Sequence, residues 1–305
     1  MKIRIFCILL AVTCFSFAST PAYAAEIASR SYDDGSSYTG WYVQGVPQGH
    51  GIYSYANGDL YYGELYGGSR HGFGVYLFAG GGMMAGFWQA DMLNGIGMTL
   101  TKDQNRFEGY FQSNVPHGQG FHISPDGVMT TGEWTNGTLA NVASTIPNCR
   151  KAAFTAESYS NGDMYLGEVI DGKQEGYGVY CFADGSSYTG QFHEGNFTGY
   201  GVYLNAQTGG YMKGNYINGQ SDGYMTSYYL DGTSYNSYEG SNESPNPSSS
   251  TGSRGNICQT CSGMGWCPIC RSGNGTYSNY GFSSICSACD GSGKCYTCNG
   301  ERLVQ

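Results

Sequence analysis

Charge is scarce in this chain: Asp, Glu, Lys and Arg together make up only 12% of its 305 residues. So sparse a pattern argues against a disordered acidic tail, which needs many like charges and few aromatics. Positive charge is the scarcer sign, and the formal net charge is −9. Such a surface repels phosphate backbones and anionic lipid, which argues against nucleic acid as a partner and against electrostatic membrane docking. No complete Gly-x-x-x-x-Gly-Lys-Ser/Thr loop is present to cradle a phosphate, and the five histidines fall in no Ser-His-Asp order. Beyond the N-terminal segment, no stretch is long and apolar enough to cross a membrane as a helix.

What the chain has in abundance is glycine (50) and tyrosine (28), the composition of an aromatic β protein punctuated by turns. Its first residues read as a secretory signal. Lys2 and Arg4 precede a nearly unbroken apolar run from Ile5 to Ala18, and Ala22-Tyr23-Ala24 is a small-x-small cleavage site. The run is shorter than the roughly 18 to 20 residues a membrane helix needs. Cleavage after Ala24 is therefore expected, placing the mature protein outside the cytoplasm: secreted, periplasmic or at the cell surface. Losing residues 1–24 removes two positive charges and no acid, which moves the net charge to −11.

A clock of 23 residues runs through the middle of the chain. Tyr38, Tyr61, Met84, Phe107 and Thr130 are spaced by that period; Tyr165 and Tyr188 resume it, and Met212 follows after one inserted residue. Two places after each comes a glycine: Gly40, Gly63, Gly86, Gly109, Gly132, Gly167, Gly190 and Gly214. A period of this length marks repeats too small to bury their own faces, which must stack on their neighbours. With the leading residue counted as position 0, positions 0, 2 and 4 share one face of a strand. Position 4 holds Tyr42, Leu65, Trp88, Phe111, Trp134, Val169, Phe192 and Tyr216, so each unit presents large, glycine, large. The glycine leaves room for a ring to lie flat against the backbone.

Turn signals divide each unit into two strands. Position 7 is commonly glycine (Gly45, Gly68, Gly137, Gly172, Gly195, Gly219), as a tight hairpin requires. A Gly-x-Gly follows at Gly49/Gly51, Gly72/Gly74, Gly95/Gly97, Gly118/Gly120, Gly176/Gly178 and Gly199/Gly201, leading into a second strand. Asn57-Gly58, Asp126-Gly127, Asp184-Gly185 and Asp231-Gly232 then close their units. Two strands of five or six residues and two turns account for the period.

Tyr61-Tyr62-Gly63-Glu64 through Arg70-His71-Gly72-Phe73-Gly74, and Phe107-Glu108-Gly109-Tyr110 through His117-Gly118-Gln119-Gly120, resemble the MORN repeat. The resemblance covers about residues 32–238. It implies an all-β fold: an elongated antiparallel sheet with one hairpin per repeat, curved into a trough lined by aromatic rings. Met84 and Met212 depart from it by replacing the leading aromatic. Met225 replaces a late glycine, and Asn141 and Ala143 replace the Gly-x-Gly of the fifth unit.

Thr130 to Tyr165 spans 35 residues, 12 more than a period. The segment 138–156 contains Pro147 and a short helical signal at Arg150 to Ala156. It reads as a seam between a first array (32–137) and a second (157–238), or else as a loop bulging from one continuous sheet. From Asn242 the composition is that of a flexible linker, assigned to 239–255.

Eight of the 12 cysteines crowd into residues 256–303 as four Cys-x-x-Cys pairs: Cys258/Cys261, Cys267/Cys270, Cys286/Cys289 and Cys295/Cys298. Each pair sets two thiolates on one side, and two pairs complete a tetrahedral zinc site, so eight thiolates suit two structural Zn²⁺ ions. A disulfide framework is the competing reading in a secreted chain. Cys258-Gln-Thr-Cys261-Ser-Gly263-Met-Gly265 and Cys286-Ser-Ala-Cys289-Asp-Gly291-Ser-Gly293 resemble the DnaJ-type cysteine-rich domain. That resemblance implies one zinc on Cys258, Cys261, Cys295 and Cys298 and the other on Cys267, Cys270, Cys286 and Cys289. Ser272 lengthens the second unit, and Glu301 stands where the fourth unit's last glycine belongs. Cys7 and Cys14 leave with the signal, and the remaining pair, Cys149 and Cys181, reads either as a disulfide across the seam or as two free thiols.

The function expected from these features is non-enzymatic: a secreted repeat scaffold binding a protein or peptide through its aromatic trough. Tyr62, Trp88, Phe111, Trp134 and Phe192 are the anchor candidates, with packing against neighbouring repeats as the competing role. A chaperone-like tail that holds unfolded or extended chains is the alternative, and glycan binding by exposed tyrosines a fainter one. The acids Asp59, Glu64, Glu108, Asp126, Glu133, Asp163, Glu168 and Asp184 recur with the repeat and are expected to face water. Sheet curvature could bring two together as in a glycosidase. His71 and His117 share one repeat position before Gly-x-Gly, which points to the turn rather than to catalysis. Metal analysis of the purified protein should find two zinc ions per chain, lost to a chelator; a metal-free protein would reject the zinc reading.

Overall fold

The computed structural model describes residues 25–239, which form strands and turns with no helix among them. The first sheet opens with β1 (Ala25–Ser31), β2 (Ser37–Val43), β3 (Val46–Ser54), β4 (Leu60–Tyr66) and β5 (Ser69–Leu77). It continues through β6 (Gly82–Gln89), β7 (Met92–Thr101), β8 (Arg106–Gln112), β9 (Val115–Ile123), β10 (Met129–Thr135) and β11 (Thr138–Ile146). The second sheet holds β12 (Ala153–Ser158), β13 (Met164–Ile170), β14 (Lys173–Cys181) and β15 (Ser187–His193). It ends with β16 (Asn196–Leu204), β17 (Tyr211–Ile217), β18 (Gln220–Tyr228) and β19 (Ser234–Glu239). Both sheets are antiparallel meanders in sequence order, of 11 and 8 strands.

The hairpin inside each repeat turns on two residues with positive φ, as at Gln44 (52°) and Gly45 (77°). This primed turn matches the twist of the flanking strands. The third unit lacks the glycine and forces Ala90 (48°) and Asp91 (66°) into the same region. Arg70 offsets that strain: its backbone amide (2.9 Å) and Nε (3.2 Å) both donate to Asp91 Oδ1, and its Nη2 donates to the Asp91 carbonyl at 2.8 Å.

Inside each repeat, the aromatic at position 0 lies across two glycines paired on adjacent strands. Gly63 faces Gly74 and Gly167 faces Gly178 in register. A Cβ on Gly63 would sit 2.5 Å from the Tyr61 hydroxyl oxygen, and one on Gly167 2.5 Å from that of Tyr165. Tyr38, Tyr61, Tyr165 and Tyr188 are consequently fully buried. Where the aromatic is missing, another side chain fills the space: Leu93 lies over Gly97, Leu139 over Gly132, and Met225 over Gly214.

A β-bulge follows the position-2 glycine, with register shifts between Gly63 and Leu65 and between Gly167 and Val169. The residue at position 3 turns its side chain back over this irregularity. Glu64 accepts the Phe73 amide at 3.2 Å, and Gln191 accepts the Tyr200 amide at 3.2 Å. Glu64, Glu108 and Glu168 are therefore buried, correcting the expectation that they face water; Asp59 is nearly so, whereas Glu133, Asp126 and Asp184 are exposed.

Of the two readings of the seam, the described residues show two sheets, and these lie face to face. One face of the first sheet (Tyr62, Phe73, Val75, Met83, Met98) packs on one face of the second (Leu166, Tyr177, Val179, Val202, Tyr211). The physical reason is that both faces of each strand pair are apolar, and the face opposite the ring–glycine layer has no neighbour within its own sheet. The arrays stack in opposite order. The first repeat meets the last through Trp41 and Tyr211 (4.9 Å), while Phe73 lies 6.3 Å from Tyr177 and 5.5 Å from Tyr200. Ala25 also donates its amide to the Leu230 carbonyl at 2.8 Å. The segment 138–156 is mostly strand: β11 and β12 flank the crossing. Arg150 to Ala156 does not form a helical turn, because its second half pairs with β13 from Ala153 onward.

Exchanging Gly74 for alanine places a Cβ 2.5 Å from Tyr61 Cζ. Overpacking of this kind should cost about 1–3 kcal/mol. Gly80→Ala, where nothing lies within 4 Å, should be nearly neutral. Urea unfolding of the two variants measures the difference.

Candidate functional site: aromatic outer faces and a polar seam

On the outer face of the first sheet a second row of rings stands beside the buried position-0 aromatics. Tyr53 faces Tyr61 in register, and Tyr61 faces Tyr76. Ring centroids step from Tyr32 to Tyr53 (6.0 Å), Tyr55 (4.6 Å), Tyr76 (5.4 Å) and Phe78 (5.0 Å). These rings are half-buried, with Phe78 exposed. The Arg70 guanidinium lies over Tyr76 at 4.9 Å and over Trp88 at 4.6 Å, adding a cation–π contact. The second sheet repeats the row: Tyr159 to Tyr180 (6.0 Å), Tyr180 to Phe182 (4.9 Å) and Phe182 to Tyr203 (6.0 Å).

Turn acids fix these rings. Asp59 accepts from the Tyr76 hydroxyl at 2.6 Å and from the Ala79 amide at 2.8 Å. Asp163 does the same for Tyr180 (2.8 Å) and Ala183 (2.9 Å). Burial and the Asp163 carboxylate push the Tyr180 phenol up to about 12, so it remains a neutral hydrogen-bond donor. Burial and Asp59 act on Tyr76 in the same direction.

The five anchor candidates lie deeper than this row. Tyr62 is sealed between the sheets. Trp88, Phe111 and Phe192 are buried in the outer ring layers, each edge-on to a position-0 ring: Tyr61–Trp88 5.6 Å, Phe107–Phe111 5.2 Å, Tyr188–Phe192 5.3 Å. Trp134 is half-buried against Phe107 at 5.0 Å. The surface row went unread in the sequence, although its signal is there: an aromatic-x-aromatic at positions 15 and 17, as in Tyr53-x-Tyr55, Tyr76-x-Phe78 and Tyr180-x-Phe182.

The seam between the sheets is polar as well as apolar. Arg106 of β8 is buried and bonds Glu108 at 2.7 Å and Glu168 of the opposite sheet at 2.9 Å. Burial raises the Glu168 carboxyl, against the lowering influence of Arg106. Lys213 crosses from β17 to Glu64 at 2.7 Å, and Trp41 Nε1 donates to the Gly209 carbonyl at 2.7 Å. His50 is completely buried nearby, and desolvation together with Lys213 pushes it down to about 4. His193, by contrast, is held up by Glu175, whose carboxylate it meets at 3.1 Å. His71 sits at the exposed edge, 5.6 Å from the Tyr66 ring.

Cys149 and Cys181 are buried in separate apolar clusters and are not joined by a disulfide. The eight tail cysteines and the signal segment lie outside the described residues.

Because His50 stays neutral in the fold down to about 4 but protonates near 6.5 when unfolded, its burial favours folding above pH 6.5. That contribution should fall by about 3 kcal/mol as pH drops from 6.5 to 4. His193 has the opposite sign, its contribution being lost as pH rises. Thermal melts of wild type and His50→Gln across this range should show a shallower acid slope in the variant.

The model of the MORN repeat matches residues 38–60, 61–83, 107–129, 165–187 and 188–206. No curated protein sequence matches the chain. Among solved structures, the SAS-4 TCP domain of Drosophila melanogaster, in complex with a proline-rich motif of Ana2, is 12% identical. The alignment covers 76% of this chain and 100% of that one, with a TM-score of 0.15. BamB from Moraxella catarrhalis is 9% identical over 74% of this chain and 97% of its own, with a TM-score of 0.22. The computationally designed Ika8 protein is 13% identical, over 72% and 98%, with a TM-score of 0.19. The five matched segments each begin on a tyrosine or phenylalanine, whereas the units starting at Met84, Thr130 and Met212 have substitutes over their glycines. Five segments of this chain therefore match the MORN repeat, three of them on the first antiparallel sheet and two on the second.

Proposed function

We propose that this protein is a secreted, non-enzymatic scaffold that holds a protein or peptide partner along the outer aromatic row of its repeats. The observation that carries the reading is the continuous row Tyr32, Tyr53, Tyr55, Tyr76 and Phe78, with Arg70 laid across it. Half-exposed rings of this kind supply contact area at little entropic cost, because their neighbours and the Asp59 and Asp163 bonds already hold them. Trp88, Phe111 and Trp134 lie in the cluster beneath this row and Phe192 in the same layer of the second sheet, whereas Tyr62 lies on the opposite face. We propose in addition that the cysteine-rich tail binds two structural zinc ions through Cys258, Cys261, Cys267, Cys270, Cys286, Cys289, Cys295 and Cys298.

The second reading gives the work to the tail, which would hold unfolded or extended chains; its basis is the four Cys-x-x-Cys pairs alone. Affinity capture from the producing cells with three full-length proteins separates the two: wild type, a Tyr53→Ser/Tyr76→Ser/Phe78→Ser variant, and a Cys258→Ser/Cys286→Ser variant. Loss of one identified partner by tenfold or more in affinity, about 1.4 kcal/mol, in the aromatic variant alone supports the scaffold. Capture that depends on the tail cysteines and yields mainly denatured chains would reverse the assignment. Unchanged melting of the aromatic variant shows that the fold is intact.

A further inference from the structure

The outer faces of the two sheets carry matching rings but different charges. Tyr159 stacks on Tyr180 at 6.0 Å, as Tyr32 does on Tyr53. Opposite the first position-0 ring of each array stands Arg30 in the first sheet, facing Tyr38, and Glu157 in the second, facing Tyr165. Arg30 lies over the Tyr42 ring at 4.4 Å. Glu157 instead accepts the Tyr159 hydroxyl at 2.9 Å. At the repeat position of Arg70, which faces Leu65, the second sheet has Gln174, which faces Val169. Gln174 donates to the same Tyr159 hydroxyl at 2.9 Å and brings no charge to Tyr180, the counterpart of Tyr76. Among the described residues, no cation lies over Tyr159, Tyr180, Phe182 or Tyr203. The basic side chains of this half are engaged elsewhere: Arg150 meets Asp171, Lys173 meets Glu194 and Lys213 crosses to Glu64. From residue 150 to residue 239 the chain has ten acids against four basic residues.

We propose that the outer face of the second sheet, at Tyr159 and Tyr180, is a binding seat for the guanidinium of an arginine-bearing peptide segment of the partner. This rests on the scaffold reading in placing a partner on the outer aromatic faces, and it adds the chemistry that this sheet selects. In the first sheet Arg30 and Arg70 fill such seats from within the chain. In the second sheet the rings are kept, the chain's own cations point elsewhere, and a carboxylate stands where the arginine would be. A planar guanidinium stacks on an aromatic face and forks onto a carboxylate, which suits this pairing of groups better than the compact, strongly hydrated ammonium of lysine. Glu157 on the Tyr159 hydroxyl and Asp163 on that of Tyr180 supply the opposite charge. The next ring at the Tyr180 repeat position is Tyr203, two strands and about 10 Å away, which is the span of three extended residues. A segment with arginine at every third residue therefore keeps step with the repeats.

The test is calorimetric titration of the full-length protein with an acetylated, amidated peptide of four Arg-Gly-Gly units, in about 0.15 M salt to screen distant charges. Wild type should bind this peptide and ignore its Glu-Gly-Gly counterpart. Glu157→Arg fills the seat from within, as Arg30 does in the first sheet, and should weaken binding by about tenfold or more. Glu157→Gln removes the charge with little change of shape and should weaken it by about threefold. Asp33→Arg makes the same change in net charge as Glu157→Arg, at an exposed turn of the first sheet, and should bind as wild type does. Unchanged melting shows that each variant is folded. A wild type that does not bind, or an equal loss in Asp33→Arg and Glu157→Arg, overturns the proposal. Binding that appears only after Arg254, Arg271, Lys294 and Arg302 are all changed to serine gives the seat to the chain's own tail and overturns it as well. No ring of the first-sheet row is altered, so failure here removes the cation seat and leaves the scaffold reading to its own capture experiment.

Discussion

One contact recurs until it defines the architecture: an aromatic ring lying flat across two glycines that face each other on neighbouring strands. Tyr38, Tyr61, Phe107, Tyr165 and Tyr188 each make it. The close approach removes backbone from water on that face and fixes strand register, because a slip of one residue would set a side chain where only hydrogen fits. The bulge, the turned-back position-3 side chain and the two-residue turn all follow from this fixed point. The substitutes Leu93, Leu139 and Met225 show that what the site demands is volume over the glycine. Aromatic character meets that demand in the five matched units and is dispensable in the others.

The same contact explains why the arrays do not remain an open ribbon. Once the rings have sealed one face of a sheet, the other still carries Tyr62, Phe73, Val75 and their counterparts. A second array covers it, and buried charge sets the alignment. Arg106 with Glu168, and Lys213 with Glu64, can each be satisfied in only one stacking of the sheets. Such pairs add little net stability over apolar residues of similar size, but they penalise misalignment, since a shifted stack would strand a buried charge.

Much of this was legible in the sequence. The period, the hairpins, the glycine seats and the primed turns could be read from spacing, because strand geometry ties residue identity to place. The polar seam could not. Glu64 and Glu168 recur as a solvent-facing acid would, and only the bulge at position 2 turns them inward. The doubling-back was equally hidden, since it depends on the face carrying positions 1 and 3, which has no glycine clock to mark it. The anchor candidates were chosen from the right face, Tyr62 apart, but one layer too deep. Position 4 meets position 0 of the same strand, and positions 15 and 17 are left at the surface. Within 138–156, Pro147 and the broken period mark the passage from one sheet to the other, while the hydrogen bonding of β10 and β13 extends strands into both ends of the segment.

Open repeat arrays tolerate gain or loss of a unit, because each module touches only its neighbours. This chain has given up that freedom. With Trp41 bonded to Gly209 and Ala25 to Leu230, the opening repeat is matched to the closing one, and the stacking runs on from there to Arg106 and Glu168. Duplication of a single 23-residue module would push all later ones out of correspondence with their opposites. Copy number in this architecture can therefore change only in compensated pairs, one module in each array, or at the overhanging end.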